Sequence, residues 1–219
     1  MARGFLAQEI KALKTELTQM SEYVERQVKS AIEALKALDN GLAEDVVTMD
    51  EVIDHQRIDI ESHCLKLIAT QQPVAKDLRV IMATFSIASD LERIGDHAED
   101  IASIVCQHAR EQLLKPLIDI PRMTDVAMGM LRDALKSLVE EDAHLARELC
   151  KRDAIVDGLY NQVFRELLVF MMADPKTIAR ATYLLITAQH IERIADLATN
   201  IAERSLYITT GLYEELNAN

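Results

Sequence analysis

The chain has 219 residues, 49% of them hydrophobic and only 4% aromatic, with six Gly, four Pro and no Trp. That length fits one large or two small domains, and so few helix breakers point to an all-α fold packed by Leu, Ile, Ala, Val and Met. Acidic residues outnumber basic ones 36 to 24, a net charge of −12, which argues against nucleic acid or anionic lipid as a direct ligand because both need a basic footprint.

The opening MARGFLAQEIKALKTEL meets charge within a few residues of Phe5, unlike a signal peptide. Helical periodicity starts there and continues through Ile10, Leu13, Leu17, Met20, Val24, Val28, Ile32 and Leu35. ALDNG, around Asn40 and Gly41, reads as a cap and turn. A second helix is expected over 42–70, stopping at QQP because Pro73 cannot continue it. A third covers 74–114. KPLIDIP, with Pro116 and Pro121, is the one clear break. A helix from about 123 to EEDAH follows, then one over 143–172, a stop at Pro175, and a last helix to about 212. The longest apolar run, LLVFMMA at 167–173, is far short of the roughly 20 residues that span a bilayer. Cys64, Cys106 and Cys150 are odd in number and lack CxxC spacing, which suits a reducing compartment. A soluble, intracellular protein is expected.

Three helices, a proline-marked link and three more helices suggest duplication, with repeats at 1–115 and 116–219. LERIGDHAEDIA at 91–102 returns as IERIADLATNIA at 191–202, with Glu, Arg, Ile and Asp in the same places. DEVID at 50–54 and DAIVD at 153–157 each put acids at i and i+4 of the second helix of a repeat. Each repeat thus carries one acidic pair on its second helix and another on its third, which antiparallel neighbours could bring together.

At about 100° per residue, Leu91, Ile94, Ala98, Ile101, Ala102 and Val105 form an apolar stripe, and Glu92, Asp96 and Asp100 lie nearly opposite. Acids three and four residues apart repel by roughly 0.2–0.5 kcal/mol per pair. One reading is a solvated outer face. Exposed helices, however, normally intersperse Lys or Arg among their acids, and a merely wet face has no reason to keep its spacing across a duplication. The other reading is a carboxylate site for hard divalent or trivalent cations, with Arg93 and Arg193 either fixing the register of the acids or forming weak surface pairs. Gly95, matched by Ala195, costs about 1 kcal/mol inside a helix relative to Ala, and close helix approach is the simplest reason for it. EDAH at 141–144 matches Glu-x-x-His of di-iron bundles, but it stands alone at an expected turn. His97 and His190 read as surface residues. The sequence offers no phosphate loop, nucleophile elbow or catalytic Cys/His spacing.

QQPVAKDLRVIM with SDLERIGDHAEDIA in the first repeat, and MMADPKTIARATYLLITAQHIERIADLATNIAE in the second, resemble the PhoU family of bacterial phosphate-transport regulators over essentially the whole chain. The resemblance implies two tandem three-helix bundles and no enzymatic activity. It implies a multinuclear metal cluster on each acidic face, iron or zinc foremost, with manganese and magnesium left open. By position the ligands would be Asp50, Asp54, Glu92, Asp96 and Asp100, and then Asp153, Asp157, Glu192, Asp196 and Asn200. Asn200 keeps only a neutral carbonyl oxygen, so the first site should be the stronger. The implied role is negative regulation of the phosphate-starvation response, bridging a phosphate ABC transporter and a sensor histidine kinase. The implied form is a cytoplasmic homodimer held at the inner membrane by protein partners. The rival readings are a ferritin-like carboxylate-metal enzyme, which would need inward-facing Glu-x-x-His ligands, and a metal-free adaptor.

Overall fold

The computed structural model describes residues 2–108 and 112–216, and all regular structure in them is helical. Helix α1 (Ala2–Ala37) buries Leu13, Leu17, Met20, Val24 and Val28 completely, following the expected periodicity. It ends at Leu38, in the left-handed region at φ 52. Asn40 and Gly41, expected to form the turn, are instead the first residues of α2 (Asn40–Gln71). The reason lies one residue earlier: Asp39 Oδ1 accepts the Leu42 amide at 3.1 Å and caps the new helix. Gln72 closes α2 at φ 47, and Pro73 follows.

Helix α3 (Ala75–His108) stops short of the expected 114, and residues 112–118 form a non-helical link. Helix α4 (Asp119–Glu140) starts before Pro121 rather than after it. Proline is tolerated there because first-turn amides have no intrahelical acceptor to lose. EDAH is a turn, as expected: Glu141 is left-handed at φ 56, and Asp142 Oδ1 caps the next helix by accepting the His144 and Leu145 amides. Glu141 itself pairs with Lys76 at 2.6 Å and Lys14 at 3.3 Å. The single helix expected over 143–172 is two, α5 (Ala143–Cys150) and α6 (Asp153–Ala173). Between them Arg152 reaches back to Asp133 on α4. A one-turn 3-10 helix, Pro175–Thr177, precedes α7 (Ile178–Thr210), which Gly211 closes at φ 77.

Helices α1, α2 and α3 pack as one bundle, and α4, α5–α6 and α7 as the second; α3 lies against α7 and α1 against α4. The repeated motif supplies the same core positions twice. Leu91, Ile94, Ala98, Ile101 and Ala102, and their mates Ile191, Ile194, Ala198, Ile201 and Ala202, are all fully buried. One contiguous apolar cluster runs through both bundles, from Leu6 to Ile208. The α3–α7 seam also holds an ion pair, Arg204 Nε donating to Asp90 Oδ2 at 2.8 Å. Among the described residues no helix is long and apolar enough to cross a membrane.

Candidate metal centre

The apolar faces of α2 and α3 turn inward, which leaves their acidic i, i+4 positions beside each other along the groove between the two helices. Asp50 and Asp54 on α2 and Glu92, Asp96, Glu99 and Asp100 on α3 lie close enough to act on one another electrostatically. They are not all freely solvated. Burial pushes the Asp50 carboxyl up; its bond to Gln27 works the other way, and the Asp54 and Asp100 charges raise it further. Glu92, Asp96 and Glu99 are likewise raised, by burial first and then by neighbouring carboxylates. Glu99, absent from the expected ligand set, belongs to this group, and its place three residues after Asp96 and seven after Glu92 was the available signal.

Two interior residues shape this face from behind. Gln27 on α1 is fully buried and donates Nε2 to the Val46 carbonyl at 3.3 Å and to Asp50 Oδ1 at 3.2 Å. Its Oε1 is buried without a hydrogen-bond partner. Gly95 leaves room for side chains of α1 and α2: a Cβ there would stand 3.1 Å from both Asp50 Oδ1 and Gln27 Oε1 and 3.3 Å from Ile53 Cδ1. The close approach expected of this glycine is present. The basic residue at this face is one the motif did not announce, Arg57 on α2. It sits 3.1 Å from Glu61 and 3.3 Å from Glu92. Arg93 lies 3.9 Å from Asp90, and its charge also opposes the rise of Asp96.

The second face gathers Asp153 and Asp157 on α6 with Glu192 and Asp196 on α7. Burial raises Glu192 and Asp196, neighbouring carboxylates add to it, and the Arg193 charge opposes it. The α5–α6 break puts Asp153 at the first residue of its helix, where the helix dipole favours a negative charge. Asn200 is half-buried and Thr199, the mate of Glu99, is fully buried, so this face has fewer charges than the first.

Clustered carboxylates with an orphaned buried amide oxygen behind them are the donor chemistry that hard cations select. The first face fits such a group better than the second. Without a cation these charges oppose folding. A carboxyl raised in the folded state stabilises below its ordinary range, and that contribution is lost as pH rises through the raised values. Glu92→Gln with Asp96→Asn is therefore expected to raise the melting temperature in chelator at neutral pH, with the gain vanishing on acidification into the carboxylate range. Thermal melts at several pH values check this, and a neutral-pH loss would contradict it.

The histidines are the largest departure from expectation. His97 on α3 and His190 on α7 are not free surface residues; their side chains are 15% and 13% exposed. They meet across the seam, Nδ1 to Nδ1, at 3.2 Å, with Asp100 beside them. Burial lowers both, His97 to about 4, where the His190, Arg193 and Arg93 charges add to the effect and Asp100 opposes it. The repeat itself held one signal, because position 97 is matched by the apolar Leu197; position 190 is matched by Asp90, whose 4% exposure only the structure shows.

A domain model described as the PhoU domain matches the chain twice, over residues 17–105 and 120–205. The chain belongs to the PhoU family. Each match takes in one acidic face of this PhoU-family chain. A phosphate-specific transport system accessory protein PhoU homolog from Clostridium acetobutylicum is 38% identical over 99% of this chain and 100% of its own length. A homolog of the same description from Aquifex aeolicus is 40% identical over 94% of this chain and 93% of its own. The crystal structure of PhoU from Pseudomonas aeruginosa superimposes with a TM-score of 0.89 at 33% identity, covering 94% of this chain and 99% of that one. The phosphate transport system regulatory protein PhoU from Streptococcus pneumoniae gives 0.88 at 30% identity over 96% and 100%. The PhoU architecture is thus matched from end to end.

Proposed function

We propose that this chain is a non-enzymatic regulator of phosphate uptake and signalling that represses the phosphate-starvation response by linking a phosphate ABC transporter to a sensor histidine kinase. The observation that carries the reading is the full-length match, in sequence and fold, to proteins described as accessory to phosphate transport. In this reading the chain is cytoplasmic, acts as a homodimer, and reaches the membrane through protein partners. An apolar row on α6, with Phe164 and Leu168 each 38% exposed and Met172 84% exposed at successive helical steps, is surface of the kind that protein contacts use.

The acidic faces are proposed as multinuclear cation sites, iron or zinc foremost. Asp50, Asp54, Glu92, Asp96 and Asp100, joined by Glu99, hold the first, and Asp153, Asp157, Glu192, Asp196 and Asn200 the second. A bound cluster would supply positive charge that cancels the repulsion of the raised carboxylates and ties the second helix of each bundle to the third.

Deletion in the native organism is expected to derepress phosphate-starvation genes at high phosphate, measured with a transcriptional reporter. Normal repression in the deletion strain would sink the regulatory claim. For the metal claim, protein purified without chelator should retain metal, and Glu92→Ala with Asp96→Ala should reduce it. A metal-free wild type with unchanged affinity for added metal in the variant would overturn it.

A further inference from the structure

The geometry points to a further, mononuclear site for a zinc-class transition metal at the seam between the two repeats, held by His97 and His190 through Nδ1 and by the carboxylate of Asp100, the one residue it shares with the first acidic face. Among the described residues, these form the one group of three or more His, Cys, Asp or Glu side chains whose ligand atoms all lie within 4.8 Å of one another. The carboxylates of the acidic faces do not converge so tightly.

Three observations carry the assignment. The first is shape. The ligand atoms stand 3.2 Å (His97 to His190), 3.6 Å (His190 to Asp100) and 3.8 Å (His97 to Asp100) apart. A point equidistant from three atoms so spaced lies about 2.1 Å from each, the length of zinc–imidazole and zinc–carboxylate bonds. The second is chemistry. Two imidazoles and one carboxylate suit zinc, iron, nickel or copper, whereas an all-oxygen set suits magnesium or calcium. The third is access. The rings are mostly shielded while Asp100 is 58% exposed, so an ion can enter from the carboxylate side and keep an open position for water.

The surrounding charges divide. Arg93 and Arg193 act on the histidines and oppose a cation. Asp100 in turn lies within the field of Asp50, Asp96 and Glu99, which favours one. Because His97 and Asp100 come from α3 and His190 from α7, an ion there would tie the first repeat to the second, unlike a cluster on either acidic face.

Cobalt(II) added to the metal-free full-length protein reports the geometry. The seam site is expected to give the intense visible bands of a low-coordinate nitrogen-containing site, and an octahedral all-oxygen site only faint ones. Losing even an outer partner of a metal ligand costs about 10–100-fold in affinity, so His97→Gln or His190→Gln should weaken the cobalt equivalent responsible for those bands at least about 100-fold. Each should also abolish the bands and reduce the zinc-induced rise in melting temperature to what the acidic faces supply. Glu92→Gln with Asp96→Asn should keep the bands and the cobalt affinity that gives them, which separates this site from the acidic faces. Faint bands in wild-type protein would overturn the assignment even if a variant failed to fold, and so would full bands at undiminished cobalt affinity in a folded His variant.

Discussion

Replacing Arg204 with Ala is expected to destabilise the protein by about 3 kcal/mol at neutral pH, the low end of the roughly 3–5 kcal/mol seen when one partner of a buried ion pair is removed. The low end applies because Arg204 is itself 31% exposed, whereas Asp90 is only 6% exposed in its side chain. Burial already pushes the Asp90 carboxyl up, against the bond and charge of Arg204 and the charge of Arg93. Removing Arg204 takes away the larger opposing influence and leaves a charge in the α3–α7 seam with poor solvation. The pH dependence follows from the sign of that shift. A raised carboxyl favours the fold when protonated, so the cost of Arg204→Ala should shrink as pH falls through the raised Asp90 range and be largest near neutrality. Urea denaturation at several pH values measures it. A cost below about 1 kcal/mol would show that Arg93, 3.9 Å away, takes over the pairing. Removing both charges, as Asp90→Leu with Arg204→Met, should come close to neutral.

Ile94→Ala is expected to cost about 2–5 kcal/mol, and Ile94→Val about 0.5–1.5 kcal/mol, as deletions from a close-packed interior do. Ile94 is fully buried, and side chains of α1 and α2 already crowd its neighbour Gly95, so little of the resulting void can close by collapse. The form of the loss is as informative as its size. Since one apolar cluster runs through both bundles, calorimetry should show a single transition moving to lower temperature, and Ile194→Ala should move that same transition. Two transitions, with only one displaced by each substitution, would mean that the bundles unfold as independent units.

Much of this architecture was legible because helical periodicity is written into every long element. Leu13 through Leu35 on α1 and the paired 91–102 and 191–202 motifs named their buried residues before any packing was known. What was not legible depends on contacts between elements. No Gly or Pro marks the α5–α6 break at Lys151 and Arg152; the neighbouring ion pair of Arg152 with Asp133 is tertiary. Pro121 read as a stop, yet it lies where a helix does not need the missing amide. The acidic faces were legible as spacing, but Gln27 and Arg57, which bond and pair with their members, lie outside the motif. His97 and His190 are widely separated in the chain and face each other only once α3 and α7 pack.

The seam ion pair and the seam histidines occupy related places. By the repeat alignment Asp90 corresponds to His190, and Arg204 to Ile104. The residue just before the duplicated motif therefore pairs with a guanidinium on one side of the internal pseudo-symmetry, and its mate pairs with an imidazole on the other. A dimer of first repeats assembled on this seam would bury Asp90 opposite Ile104 with no cation from across the interface, and a dimer of second repeats would offer Arg204 no carboxylate. The two halves have become complementary rather than interchangeable. A shuffled chain carrying either repeat twice should fail at this interface, so the duplication cannot be undone one half at a time.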